Sequence, residues 1–279
     1  MWFQEELYSD LKVRFKGDLM YKDKSPFQDL RIYETKRYGR MLLLDGIVQT
    51  TQKDEFIYHE MLTHPFALSH PNPKKALVIG AGDGGVLREL LKHKEIKKIT
   101  LVEIDKAVID FSKKYFYSIC RKSFQDKRVE IIIDDGAKHV AQTNEKYDIV
   151  IVDSTDPMGV AKVLFSPQFY RNIFNVLNKD GVLVRQTGSS FLQPHEIRDN
   201  YKILKKIFPE VLPMLAAIPT YVGGFFTFLV ALKGKSPLDI SYKKLNSEYK
   251  KLKLKIKYYN PEIHFAAFAV PNYIQEKLV

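Results

Sequence analysis

Ala76-Leu77-Val78-Ile79-Gly80-Ala81-Gly82-Asp83-Gly84-Gly85 is the stretch that decides the fold. Its apolar opening reads as a strand buried on both faces, and a glycine loop follows at once. Downstream the texture repeats: a helix over 86–93, a strand over 99–102, a helix over 106–116, then strands over 129–133 and 149–152. A helix over 168–177 precedes a strand over 181–184, and 225–232 reads as a late strand, placed as an antiparallel edge. Buried strands alternating with helices predict an α/β fold, a Rossmann-like doubly wound sheet of the methyltransferase type.

Upstream the pattern is different. Leu11-Lys12-Val13-Arg14-Phe15 alternates with period two, and Gly17-Asp18 reads as a turn. Residues 30–34 alternate again, and 40–44 run through Asp45-Gly46 into 47–51, the pattern of a hairpin. This predicts a small N-terminal antiparallel β domain over 1–52 and a larger domain over 53–279. Asp54-Glu55 opens a helix with acids at its positive end. Pro65 is expected to kink or end that helix, and Pro71-Asn72-Pro73 to mark a linker. Residues 251–259 and 265–270 give no clear element.

Composition narrows the class. The chain has 279 residues, 45% of them hydrophobic, enough for one large domain or a core with a small appendage. Cys120 is the only cysteine, which excludes an intrachain disulfide and zinc sites built on several thiolates. No apolar run approaches the roughly 20 residues that span a bilayer. The opening Met1-Trp2-Phe3-Gln4-Glu5-Glu6 carries acids where a signal peptide is basic. The expectation is a soluble, cytoplasmic protein. Of the net charge of +11, +7 comes from 233–257, where nine lysines meet only Asp239 and Glu248. Without arginine and with only Tyr242 and Tyr249 among its lysines, that run reads as a solvated face rather than a nucleic-acid patch.

Ligands of open α/β sheets bind beyond the carboxyl ends of the strands. After the first of these strands stands Asp83; after the second, Glu103 and Asp105; after the third, Asp134-Asp135-Gly136; after the fourth, Asp153-Ser154-Thr155-Asp156. One such acid reads as a helix cap, but four along one sheet edge of a basic chain read as a site. The glycine loop fits G-x-G-x-x-G and also the looser loop of nucleosides without phosphates. Glu103 stands where an acid accepts from ribose hydroxyls. Asp83 separates the two classes, because a carboxylate in the loop repels a pyrophosphate and attracts a cation. The ligand so indicated is an adenosine attached to a positive group such as a sulfonium. Asp135-Gly136 suits an adenine pocket, or alternatively an ordinary strand-to-helix turn. Asp153 and Asp156 facing Asp83 suit a diamine. An amine with a pKa near ~10.4 is neutral at pH 7 only about once in a thousand molecules, so a carboxylate that takes its proton lowers a cost of roughly 4–5 kcal/mol.

On these residues the chain closely resembles the polyamine aminopropyltransferases. The resemblance runs through Gln28-Asp29-Leu30, Leu44–Thr51, Asp54-Glu55-Phe56-Ile57-Tyr58-His59-Glu60-Met61 and the Gly80–Gly85 loop. It continues through Val102-Glu103-Ile104-Asp105, Asp134-Asp135-Gly136, Asp153–Pro157, Ile218-Pro219-Thr220-Tyr221, 258–264 and Ala266-Ala267-Phe268, nearly the whole chain. It implies that decarboxylated S-adenosylmethionine gives its aminopropyl group to putrescine by direct displacement, yielding spermidine and methylthioadenosine. It implies Asp153 as proton acceptor. It implies that Gln28, Glu103, Asp135 and Gly136 hold the nucleoside, beside the Gly80 and Gly82 loop. It implies that Tyr58, His59, Asp83, Asp156 and Tyr221 surround the aminopropyl group and the amine. The donor is a co-substrate, so no resident cofactor is expected, and assembly as a homodimer or homotetramer is.

Two departures stand out. Val160 replaces a proline of the family pattern after Asp156-Pro157-Met158-Gly159, and Gln186-Thr187-Gly188-Ser189-Ser190 lacks a glutamate that some members direct at the distal amine. Agmatine and cadaverine therefore stand beside putrescine as acceptors. An S-adenosylmethionine-dependent methyltransferase and a nucleic-acid-binding module are the rival readings. His59-Glu60 followed by His64 misses H-E-x-x-H by one position, so no metal is expected there. Residues 155–164 are a candidate gate.

Overall fold

The computed structural model describes residues 1–157, 159–253 and 255–278, with Val160 described by its backbone alone. Met158 and the side chain of Val160, where the loop departs from the family pattern, lie outside the described residues, as does Leu254. The first fifty residues form a five-stranded antiparallel meander in chain order: β1 (Trp2–Glu5), β2 (Val13–Lys24), β3 (Asp29–Thr35), β4 (Gly39–Leu44) and β5 (Ile47–Thr51). Asp45 and Gly46 both take positive φ, 49° and 80°, as a two-residue primed turn requires. The alternation in sequence did not disclose β1. Gly17-Asp18 is not a turn: β2 continues through it, with Gly17 opposite Thr35 and Asp18 opposite Glu34.

The helix α1 (Glu55–Ser69) runs through Pro65 for four more residues. Proline removes one N–H, but almost the whole helix is buried, and tertiary packing outweighs the local break. There follow β6 (Lys75–Gly80), α2 (Gly85–Leu90), β7 (Lys98–Glu103), β8 (Val129–Ile133), β9 (Tyr147–Asp153), β10 (Leu177–Ser189), β11 (Glu210–Ala216) and β12 (Phe226–Leu232). They form one sheet in the order β11-β12-β10-β9-β6-β7-β8. Strands β8 to β10 and their neighbours β6 and β7 run parallel, whereas β12 is antiparallel to both β10 and β11. So β12 has the predicted direction but is interior, and the edge is β11. Pro213 obscured β11 in the sequence, yet an edge strand tolerates a residue without an N–H.

Along each parallel strand the side chains divide between two cores. Val78, Leu101 and Ile151 face one helix layer, and Leu77, Val150 and Leu183 the other. The strand order reverses between β6 and β9, which opens a crevice at their carboxyl ends. The antiparallel sheet sits beside that crevice. Leu30, Ile32, Leu42 and Leu44 pack on Val108, Phe111, Phe116 and Ile119 from the helical segments after β7. Each such buried side chain contributes about 1.5–3 kcal/mol. The lysine-rich run becomes the outer face of the helix Tyr242–Leu252, where only Leu245 is buried. The candidate gate, 155–164, runs into a 3-10 helix over Gly159–Phe165. Among the described residues no helix is long and apolar enough to cross a membrane.

Candidate active site

A cavity of about 1400 Å³, counting its open mouth, lies over the crevice. Asp83, Glu103, Asp135, Asp153 and Asp156 all line it, and so do Gln28, Tyr58, His59, Gly80, Gly82, Gly136 and Tyr221. Of the strand-end acids, Asp105 and Asp134 stand outside. Asp105 caps the helix Lys106–Tyr115 through Ala107 N at 3.0 Å, and Asp134 meets Lys138 at 3.2 Å near the surface.

The centre is built where β6 meets β9. Ala81 N donates to Asp153 O at 2.9 Å, and Gly80 takes φ +81° with its missing Cβ 2.1 Å from that same oxygen. Any side chain at 80 would push the glycine loop off Asp153. The Tyr58 hydroxyl donates to Asp153 Oδ1 at 2.6 Å. Burial, and then the charge of Asp83, push the Asp153 carboxyl up to about 6, while the charge of His59 and the Tyr58 bond act against this. Burial and the Asp153 charge hold the Tyr58 hydroxyl well above its ordinary value, so it stays a donor. Asp83 accepts from Gly85 N at 2.8 Å and lies 3.2 Å from His59 Nε2. Burial alone would raise Asp83, but the His59 charge and hydrogen bond hold it below the usual range.

At one end of the cavity Glu103 accepts from Asp105 N at 2.9 Å, and burial pushes its carboxyl up to about 7. Gln28 Nε2 reaches across from the antiparallel sheet to Asp105 Oδ2 at 2.9 Å, beside the Ser25 hydroxyl at 2.6 Å. Asp135 caps the helix Gly136–Gln142 through Ala137 N at 2.7 Å, so it does serve the turn, while also lining the cavity. A Cβ on Gly136 would fall 2.3 Å from Ile79 Cγ2, which explains the glycine.

The opposite end holds Asp156, raised by burial, with Gln193 Nε2 at 3.4 Å from Oδ1. Tyr58, Tyr221 and Phe226 form an aromatic wall, with ring centroids 4.6–6.0 Å apart. The Tyr221 hydroxyl donates to Gln49 O at 2.5 Å. Four polar residues here were not singled out from sequence: Glu5, Tyr8, Gln186 and Gln193. Burial pushes the Glu5 carboxyl up to about 7. Gln186 was within reach of the strand-end rule had it been applied to amides as well as acids. Glu5 carried no signal, because its strand was itself unread. Gly188 takes φ +69°, and a Cβ there would meet Gln193 Oε1 at 2.5 Å, so the Gln193 amide occupies the space of a side chain at 188.

The histidine–glutamate pattern on α1 is spent elsewhere. Glu60 accepts from the backbone N–H groups of Lys257, Tyr258 and Tyr259, and His64 Nε2 lies 2.9 Å from Glu89.

Chemically the cavity is a carboxyl-rich cleft with an aromatic wall, in which Asp153 is raised toward neutrality and the charges of Asp83 and Glu55 raise His59 well above its ordinary value against the effect of burial. Comparison with known proteins gives the same direction. Residues 55–240 match the spermine/spermidine synthase domain, and residues 1–52 the spermidine synthase tetramerisation domain. The polyamine aminopropyltransferase of Moorella thermoacetica is 45% identical over 279 residues, 100% of this chain and 96% of its own. That of Caldicellulosiruptor bescii is 45% identical over 277 residues, 99% of this chain and 97% of its own. A spermidine synthase solved in complex with the transition-state analogue AdoDATO superposes with a TM-score of 0.94 at 37% identity, covering 100% of this chain and 94% of that one. The spermidine synthase of Thermotoga maritima gives 0.93 at 37%, with the same coverage. By sequence over its full length and by fold, the chain belongs to the spermine/spermidine synthase family and is a polyamine aminopropyltransferase.

Proposed function

We propose that the enzyme transfers the aminopropyl group of decarboxylated S-adenosylmethionine to putrescine, giving spermidine and methylthioadenosine. The observation that carries this reading is Asp153, a buried carboxyl raised to about 6, between the Tyr58 hydroxyl and the negative Asp83. The amine nitrogen attacks the propyl carbon on the sulfonium. Its lone pair forms the new C–N bond, the C–S bond breaks, and that electron pair leaves sulfur as a neutral thioether. The proton shed by the nitrogen goes to Asp153. No covalent enzyme intermediate and no resident cofactor enter the scheme.

Glu103 and Gln28 face the nucleoside, with Asp135 and Gly136 at the base and the Gly80–Gly82 turn beneath. Asp83 accepts from the ammonium of the donor and repels the carboxylate of ordinary S-adenosylmethionine. Tyr58, Tyr221 and Phe226 wall the aminopropyl chain, and Asp156 with Glu5 receives the distal ammonium of the acceptor. His59, expected among the residues around the amine, lines the cavity and meets Glu55 and Asp83.

Agmatine and cadaverine are the competing acceptors, because the far wall carries the amides Gln186 and Gln193 in the region where some relatives place a glutamate. The test is incubation with the decarboxylated donor and a panel of diamines, with methylthioadenosine read by mass spectrometry. Fastest release with putrescine supports the assignment, and fastest release with agmatine or cadaverine overturns the acceptor. The match of residues 1–52, together with exposed Trp2, Leu19 and Met20 on that sheet, supports assembly as a homodimer or homotetramer. A monomer by light scattering would contradict it.

A further inference from the structure

His59 is buried, and neither of its ring nitrogens is free. Nδ1 lies 2.6 Å from Glu55 Oε2, one helical turn back on α1, and Nε2 lies 3.2 Å from Asp83 Oδ2. Glu55 cannot turn away. Arg88 on α2 grips both its oxygens, NH1 to Oε1 at 2.8 Å and NH2 to Oε2 at 2.9 Å. Nor can the ring turn. It lies on the backbone at Gly85, where a Cβ would sit 2.3 Å from Cε1 and Nδ1. Arg88 keeps Glu55 ionised and Asp83 is held below the usual carboxylate range, so Nδ1 donates to Glu55 and the ionised Asp83, at ion-pair distance, favours a proton on Nε2 as well.

We propose that Glu55 is a positioning residue: clamped by Arg88, it holds His59 as an imidazolium, which orients Asp83 and lets Asp83 and Asp153 be ionised together. This rests on the reading that Asp83 receives the donor's ammonium and Asp153 the proton. The charged and titratable groups around the ring are Glu55 from α1, Asp83 and Arg88 from the loop and α2, Asp153 from β9, and the neighbouring Tyr58 hydroxyl. His59 is the only cation among those that touches Asp83. Without it the two aspartates repel, and one keeps a proton through neutral pH. Glu55 thereby acts on the reaction through two intermediaries, touching neither substrate.

The test uses the full-length enzyme and Glu55→Gln, with Glu89→Gln as control. Glu89 is the other partner of Arg88, at 2.6 Å from Nε, and does not touch His59. The direct readout is the imidazole 15N spectrum at about pH 8.5, where an ordinary histidine is neutral, with the His59 signal assigned by its loss in His59→Gln. In the wild type and in Glu89→Gln both His59 nitrogens should be protonated, and in Glu55→Gln only one. The kinetic readout is the acid limb of kcat/KM, which Glu55→Gln should move up by about one pH unit, and Glu89→Gln should leave in place. The KM for the donor should rise several-fold more than the KM for the amine. A neutral His59 in the wild type overturns the clamp, whatever the activity. An equal shift of the limb in both variants also overturns it, since general loosening of α1 against α2 would then suffice. Failure of the substrate assignment shows separately, as absent turnover with a doubly protonated His59.

Discussion

Asp153 joins two properties that water does not offer together: a carboxyl shielded enough to hold a proton near neutrality, and a hydroxyl that fixes its orientation. Asp153→Asn keeps the size and the Tyr58 contact but cannot take a proton. It should lower kcat by about 10²–10⁴-fold while the donor still binds, checked by single-turnover rates beside donor titration. On the proposed role the base form of Asp153 is the active one, so kcat/KM should fall as the pH drops through about 6, and stopped assays from pH 5 to 9 would show that limb. Asp83→Asn should narrow the preference for the decarboxylated donor over ordinary S-adenosylmethionine, measured as the ratio of two dissociation constants. An unchanged ratio would remove Asp83 from donor selection.

Between elements, the contact of α1 with α2 depends on buried charge. Arg88 joins Glu55 and Glu89, Glu89 holds His64, and His64 Nδ1 reaches His93 Nε2 at 2.8 Å. Arg88→Met leaves two buried carboxylates short of a cation and should cost about 3 kcal/mol, seen as a lower midpoint in denaturant with an unchanged slope. How far these elements are legible in sequence follows from their physics. The central strands announce themselves because both faces are buried, and the acids at their ends can then be counted along one edge. Elements whose residues obey a distant partner are silent. β1 is four residues long, β11 carries Pro213, and α1 continues past Pro65 because its surroundings hold it. Glu5 and Gln193 reach the cavity from segments whose local pattern says nothing of a site. The ionic state of His59 is hidden for the same reason, since Glu55 is a neighbour by helical spacing but Asp83 and Arg88 arrive from beyond the next strand.

For the molecule as a whole, a basic body of net charge +11 encloses a negative cleft. In the absence of ligand the cleft stores repulsion. Burial pushes Glu5 and Glu103 each up to about 7, so the folded state holds protons there that the unfolded chain has released. Stability is therefore lost as pH rises through about 7. The histidines lowered by burial, His93 among them at about 3, oppose this until the unfolded chain has shed their protons near pH ~7.5, while His59, raised by Asp83 and Glu55, adds to the loss. Thermal midpoints should fall from pH 6.5 to 8, and spermidine should raise them more at pH 8 than at 6.5. An equal rise at both would mean that the cleft carries no such load. Removal of residues 1–10 takes away β1 together with Glu5 and Tyr8 from the cavity wall. The shortened chain should lose acceptor affinity before donor affinity, a split that steady-state kinetics with each substrate varied would reveal.

The first strand thus closes a cavity whose reacting groups stand on strands far along the chain. Which acceptor fits and how it reacts are written in stretches of gene that an exchange of the opening segment would separate. A library of chimeras joined just ahead of α1, each bringing its own Glu5 counterpart and its own wall, is a route to redirecting the enzyme toward longer or guanidinylated amines with the catalytic strands left untouched.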